Sequence, residues 1–405
     1  MIQRVLTAQK EKKHTLFTSF IFILYLFIAT ECTVTSALLP DILRHYALNM
    51  SAVGFLTAVQ SAGQLAAALI GIIFSERFDK IKASITILFL FSASVIGISC
   101  MPGYSVLLIL FFIRGAGLSL STIFFNALIS DMYPDRRSVY LNFLHIFYGI
   151  GSSLGPMIPA FLLERNFSWN YVYTLIGGAC LAASALYSVT SSGIHNCQPP
   201  SNSSVSQKSS SGKAARIPLN GQLMLLGVIM FCYNGHQVAL NNWFTTYLTQ
   251  VFSASGTISS LALTGYWTAV LAGRFVYSVL FSKYDERKYI LVTCLASGVF
   301  MLAGTYSDHM ALIIAAVILG GVITGSVYPL LFSLSCDLFP SMSAYVNSLT
   351  SACGQMGGLI FTWLLGIMAE YVSFVAAMRI IITALLCIPL FMWILLRMHK
   401  PLSSN

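Results

Sequence analysis

Apolar stretches of membrane-crossing length recur along the chain at 15–38, 52–74, 83–102, 105–129, 138–163 and 171–192. After a polar interruption they resume at 220–247, 257–281, 289–306, 310–334, 344–369 and 375–398. Each is close to the ~20 residues that carry a helix across the ~30 Å hydrocarbon layer. Backbone inside lipid must satisfy its own hydrogen bonds, so runs of this length predict helices. The pattern predicts an all-α membrane protein with twelve transmembrane helices in two six-helix bundles. The interruption contains NCQPPSNSSVSQKSSSGKAARIP, whose Ser, Pro, Gly and Lys content offers no face to bury and reads as a flexible linker. The predicted organisation is a polar tail at 1–14, a first bundle at 15–192, the linker at 193–219, a second bundle at 220–398 and a short tail at 399–405.

Composition agrees with this pattern. With 57% hydrophobic and 9% charged residues, the chain has more apolar surface than a soluble core could hide. The first fourteen residues are polar and basic, and the run after them is too long for a cleavable signal, so the first helix is expected to remain as an anchor. A net charge of +9 would suggest nucleic acid in a soluble protein, but here the basic residues cluster in loops on one side. Of 22 Lys and Arg, the opposite side carries only Arg44 and Arg165, and Arg114, Arg274 and Arg379 lie within runs. The positive-inside rule then puts both termini and the linker in the cytoplasm of a cell bounded by this membrane. The nine cysteines are scattered singly, mostly within apolar runs, and read as small packing residues. No phosphate-binding loop, nucleophile–base pair or metal-ligand cluster appears, so ATP as driver, an enzyme, a cofactor and a metal site are not expected.

The halves repeat at an offset of about 206 residues. Phe74-Ser-Glu-Arg-Phe-Asp79 recurs as Phe281-Ser-Lys-Tyr-Asp285, and Asp131-Met-Tyr-Pro134 as Asp337-Leu-Phe-Pro340. Ser138, Tyr140, Asn142 and Gly149 recur as Ser343, Tyr345, Asn347 and Gly354. Parallel six-helix repeats with a site near the midplane between them are a transporter architecture.

The most informative single residue is Glu31, halfway along the first run. A carboxyl at that depth costs about 2.5–3.5 kcal/mol on insertion scales and marks a candidate functional site. Counted from Pro40 it lies ~14 Å deep, and Arg114, counted from Tyr104, lies ~15 Å from the same face. The two share a depth. In the seventh run, Asn234, Gln237 and Asn241 fall on one face at i, i+3 and i+7, with Trp243 and Tyr247 beyond them. Amides that donate and accept, beside aromatic faces, suit a polyhydroxylated or small polar solute. Trp267 in the eighth run, Tyr328 in the tenth and Asn347 in the eleventh add to that candidate set. His145 and Asn142 share a face of the fifth run, where Gly151, Gly155 and Pro156 permit close packing and a bend. Asp79, Lys80, Asp131, Asp285 and Asp337 stand at run ends, where they can cap helices or pair as gate elements, and Arg274 reads as structural. Arg379 reads as a residue that reaches toward headgroups.

Two six-helix halves, the linker and Asp79-Lys80 after the second run resemble the major facilitator superfamily, with half of its usual loop motif present. Within it, the fucose/galactose/glucose:proton symporter branch is similar in several stretches. These are Leu39-Pro-Asp-Ile-Leu-Arg-His-Tyr46; Leu141-Asn-Phe-Leu-His145-Ile-Phe-Tyr-Gly149-Ile-Gly151 with Gly155-Pro156; Tyr233, Gly235, Gln237, Trp243 and Tyr247; and Trp267 before Gly273-Arg274. Gln237 stands where relatives often carry Glu, and Arg114 is the charge nearest to a second acid of the fucose type. The resemblance implies a monomeric secondary transporter that moves a small polar solute such as a sugar by alternating access. Helices 1 and 4 would face the cavity, and a Glu31–Arg114 pair would couple protons. Read from the residue itself, His145 is a lone intramembrane histidine, which is either a neutral hydrogen-bonded residue or a proton relay. A proton-driven drug or metabolite exporter and a non-transporting solute sensor are the alternatives. The expected partners are a small-molecule substrate, protons and the bilayer, with no nucleic acid.

Overall fold

The computed structural model describes residues 2–74, 79–133, 136–191, 221–339 and 343–398; the linker lies outside them. The first half runs α1 (Ile2–His45), α2 (Met50–Phe74), α3 (Lys80–Ser99), α4 (Tyr104–Met132), α5 (Arg137–Leu154), α6 (Met157–Glu164) and α7 (Trp169–Ser191). The second runs α8 (Gly221–Phe252), α9 (Gly256–Val276) with a π turn at Tyr277–Phe281, α10 (Glu286–Gly304), α11 (Met310–Thr324), α12 (Val327–Leu338), α13 (Ser343–Tyr371) and α14 (Phe374–Met398). α5 and α6 form one crossing broken at Gly155-Pro156, and α11 and α12 one broken at Gly325-Ser326. Twelve crossings result. Eleven are long and apolar enough to be recognised by length and composition; the twelfth is α9, whose Ser, Thr, Gly, Tyr, Trp and Arg274 dilute its apolar character.

α1 is longer than its apolar run, because the helix starts at Ile2 and continues through Pro40 to His45. The repeat in the sequence is visible in the caps. Asp79 accepts from the amides of Ile81 and Lys82 at 3.0 and 3.2 Å, and Asp285 from those of Arg287 and Lys288 at 2.9 and 3.1 Å. An N-cap carboxylate satisfies amides that the first helical turn leaves unpaired.

Apolar side chains form two clusters. One draws on residues from Phe17 to Tyr187, and the other on residues from Leu226 to Leu395 with Leu39 and Val53 added from the first half. Lipid gives helices no hydrophobic reason to associate, so close backbone approach through small residues does much of the holding. α2 and α4 cross reciprocally: a Cβ on Gly63 would strike the Phe112 carbonyl, and one on Gly115 the Gln60 carbonyl. Arg379 does not reach outward. Its Nη2 donates to the Thr305 carbonyl at 2.8 Å at the end of α10, and its guanidinium lies 3.8 Å from the Tyr306 ring centroid, so an orphan helix-end carbonyl and an aromatic face hold it in place.

Candidate functional site

Glu31 and Arg114 meet. Arg114 Nε donates to Glu31 Oε1 at 2.5 Å, Thr35 Oγ1 donates to the same oxygen at 3.1 Å, and the Tyr173 hydroxyl donates to Thr35 Oγ1 at 2.9 Å. Glu31 is 0% exposed and Arg114 1%, so the pair is sealed inside the first bundle among α1, α4 and α7. It is held through one nitrogen–oxygen contact, whereas a fork-to-fork pair would use two. Glu31 Oε2 and Arg114 Nη1 and Nη2 are buried without a hydrogen-bond partner. Desolvating two charges costs several kcal/mol each, and attraction offsets that only when the remaining atoms are also satisfied. This pair is therefore energetically close to balance.

The halves are joined on the side away from the basic loops. Ser36 in α1 is the hub: Asn241 Nδ2 donates to its Oγ at 2.6 Å, its Oγ donates to Asn242 Oδ1 at 3.2 Å, and Thr245 Oγ1 donates to its carbonyl at 2.7 Å. The Met50 amide donates to Glu370 Oε2 at 2.8 Å, and Gly54 meets Gly366 nearby. Among the described residues, these hydrogen bonds between the halves all lie on that side. Beyond the Ser36 seal, a pocket of about 540 Å³ opens between α1, α6, α8 and α9, lined by Asp41, Arg44, Glu164 and Gln250 among others.

On the basic side of the seal, a different group lines the meeting of the halves. A Cβ on Gly149 of α5 would lie 2.8 Å from Leu271 of α9. The two helices run antiparallel, so one turn toward the basic face brings His145 opposite Arg274. His145 is exposed to this cleft, while its ring stands edge-on to Tyr25 at 6.1 Å, and Tyr25 lies 5.0 Å from Tyr148. Across the cleft, Tyr233 and Tyr328 are 6.5 Å apart. Arg274 lies within electrostatic reach of Tyr25, Tyr148, Tyr233 and Tyr328, and of His145. Its Nε donates to the Gly325 carbonyl at 3.3 Å and the Tyr233 hydroxyl to the Thr324 carbonyl at 2.9 Å, which satisfies carbonyls freed by the α11–α12 break.

The predicted face of α8 divides. Asn241 lies at the seal, where its Oδ1 also accepts from Trp267 Nε1 at 2.8 Å. Gln237 is half-buried and hydrogen-bonds Tyr266. Asn234 Nδ2 is committed to the Gly354 carbonyl at 2.8 Å. Trp243 and Tyr247 are not brought to the cleft. Two residues on a helix turn 200°, so Trp243 points away from the Asn241 face. Its Nε1 donates to the Thr362 carbonyl at 3.1 Å, and both rings stand edge-on to Phe374. Truncating Trp243 to Ala should cost about 3–5 kcal/mol of stability through the cavity it leaves, read as a lower melting temperature, with solute preference unchanged.

Asn142 is exposed, and Asn347 Nδ2 donates to Cys336 Sγ at 3.2 Å with its Oδ1 buried and unpaired. Lys80 pairs with Asp131 at 2.5 Å within the first half. Asp337 is exposed at the end of α12 and interacts electrostatically with Glu286. Gly151 and Gly155 let α5 press on α1: a Cβ on Gly151 would strike the Leu26 carbonyl, and one on Gly155 the Thr33 hydroxyl. Pro156 stands at the position just before α6, beyond the break. Among the described residues no cluster of His, Cys, Asp and Glu could hold a metal.

Arg274 as a cleft residue, and Tyr25 and Tyr148 as its neighbours, are absent from the sequence reading. The signal was available, because the eighth run continues seven residues past Arg274 to Phe281, which sets the side chain ~10 Å inside the helix end.

The sequence model of the Major Facilitator Superfamily matches residues 21–251 and 223–405. The Protein TsgA homolog of Buchnera aphidicola subsp. Schizaphis graminum (strain Sg) is 21% identical over 346 residues, 84% of this chain and 85% of that protein. Protein TsgA of Escherichia coli O157:H7 (strain EC4115 / EHEC) is 24% identical over 251 residues, 60% of each, so that alignment takes in less than two thirds of the relative. Among solved structures, a bacterial homolog to the human lysosomal transporter Spinster, inward-facing and unoccupied, superposes with a TM-score of 0.78 at 12% identity, covering 95% of this chain and 97% of that one. A D-xylose-proton symporter gives 0.73 at 14% identity, covering 93% and 96%. At these identities the likeness is one of fold. Matched by the family model in both halves and built as two six-helix bundles, the chain is a multi-pass membrane transporter of the major facilitator superfamily.

Proposed function

We propose that this transporter moves a small hydroxylated solute of the sugar class by alternating access, in symport with protons that act through Glu31. The observation that carries the proposal is the Glu31–Arg114 pair: buried, joined by a single contact, with three polar atoms left over. A proton on Glu31 removes one charge of the pair and releases its hold on Arg114. Because α1 also carries Ser36, the hub of the seal, a change in how α1 sits on α4 is felt where the halves meet. Coupling requires that kind of two-state element, biased by both ligands.

The hydrogen bonds between the halves at Ser36 and Met50, with none at the basic side among the described residues, support a reading in which the Ser36 side is closed and the basic side, taken as cytoplasmic by the positive-inside rule, is the one that opens. The protein would sit in the plasma membrane with both chain ends inside. Gln237, Asn241, Trp267 and Tyr328 border the cleft and are the proposed solute contacts, with His145 and Asn142 at its cytoplasmic end. Asp79, Lys80, Asp131, Asp285 and Asp337 are the proposed cytoplasmic gate elements.

The test is external pH in lightly buffered, de-energised vesicles holding the protein, with small hydroxylated solutes added one at a time. A transported solute should alkalinise the medium, and Glu31→Gln should abolish the signal. A solute that tracer measurements show entering without alkalinisation would make the carrier proton-independent.

A further inference from the structure

Arg274 is the only arginine or lysine of the cleft between the halves among the described residues, and it has no acidic partner. Among the described residues, the ion pairs join Arg44 to Asp41, Lys80 to Asp131 and Arg114 to Glu31. The one carboxyl in mid-membrane is Glu31, which is sealed away and already engaged. Arg274 uses Nε on the Gly325 carbonyl; its terminal nitrogens have no protein acceptor among the described residues. The groups around it are tyrosine hydroxyls and the exposed His145; Tyr233 has already given its proton to the Thr324 carbonyl, the others can donate or accept, and no carboxylate is among them. A cleft with one uncompensated cation and no carboxylate is mismatched to a cationic solute. It attracts an anion, because low-dielectric walls focus the field of a single charge.

We propose, resting on the transporter reading above, that the transported solute is an organic anion, and that its carboxylate pairs with the planar fork of Arg274 while its hydroxyl groups meet the surrounding tyrosines. One guanidinium balances one negative charge and presents two parallel donors at the spacing of a carboxylate. A phosphate dianion would be left half-neutralised. The solute class that results is a hydroxylated monocarboxylate of sugar size.

The test reads the cleft without requiring transport. In the full-length protein in nanodiscs, a cysteine is introduced by Asn142→Cys, one helical turn from His145. Its modification by an anionic and a cationic methanethiosulfonate of similar size is compared with that of free cysteine, after subtracting the parent protein's labelling. The cleft should favour the anionic reagent by about tenfold. Arg274→Gln should abolish the preference and Arg274→Lys should retain it, which separates charge from the structural bond to Gly325. Acetate should lower the preference more than chloride does at equal ionic strength, whereas acetamide should leave it intact. A ratio equal to that of free cysteine, or one unmoved by Arg274→Gln, overturns the proposal. Acetamide matching acetate, or acetate doing no more than chloride, overturns the carboxylate assignment, and inorganic phosphate outdoing acetate transfers it to phosphate. Failure of the transport reading would appear only in the vesicle assay, with the thiol ratio intact.

Discussion

Glu31→Gln should destabilise the protein by about 3–5 kcal/mol, because it leaves Arg114 as a buried cation without its counter-charge. Arg114 is 1% exposed, and its two terminal nitrogens already have no partner. Removing the carboxylate therefore leaves a desolvated charge in place with nothing to offset it. The effect should appear as a large fall in melting temperature in detergent. Pairing the change with Arg114→Met removes both charges and should return most of the lost stability, since a buried ion pair is often no better than apolar residues of similar volume. The double variant should nevertheless transport without pH dependence. Stability and coupling would thus separate: the first follows from having both charges or neither, the second from Glu31 itself. If the double variant kept the pH dependence of the parent, the proton would act elsewhere.

Ser36→Ala should move the balance between the two faces. It removes both side-chain contacts to Asn241 and Asn242 and leaves the Thr245 bond to the main-chain carbonyl in place. Interhelical hydrogen bonds in membranes contribute about 0.6 kcal/mol on average and up to about 1.7. Losing two shifts the closed-to-open ratio at this face by about tenfold. A cysteine at Gln250, in the pocket beyond the seal, should then react faster with a membrane-impermeant thiol reagent added from that side. Unchanged labelling would mean that Met50, Glu370 and the Gly54–Gly366 contact hold the face closed without Ser36.

The crossings were legible because the bilayer imposes a length and apolar character that few other constraints imitate. The matched depth of Glu31 and Arg114 was legible too, since helical rise converts residue counts into distances. Helix rotation was less so. Trp243 and Tyr247 stood next to a polar face in the sequence, yet they pack against Phe374, because in a helix adjacency along the chain places residues on different sides. Ser36 carried no signal at all, as one hydroxyl in an apolar run is common, and its importance comes from partners in the other half. The surroundings of Arg274, which the sequence marks as structural and which does hold the Gly325 carbonyl, were hidden for a related reason. Its depth was countable, but that it faces His145 depends on Gly149 meeting Leu271 across the halves. Contacts within a helix follow from spacing, whereas contacts between bundles follow from how two surfaces dock.

The most direct measurement of the account is a pair of spin-label distances followed across pH in the full-length protein. One pair, at Tyr171 and Val372, reports the face sealed by Ser36, and the other, at Arg136 and Tyr284, reports the basic face; all four positions are exposed. On acidification the first distance should lengthen as the second shortens, and in Glu31→Gln neither should respond. Two distances that change together, or an opposed change that persists in Glu31→Gln, would contradict a proton-driven alternation through Glu31.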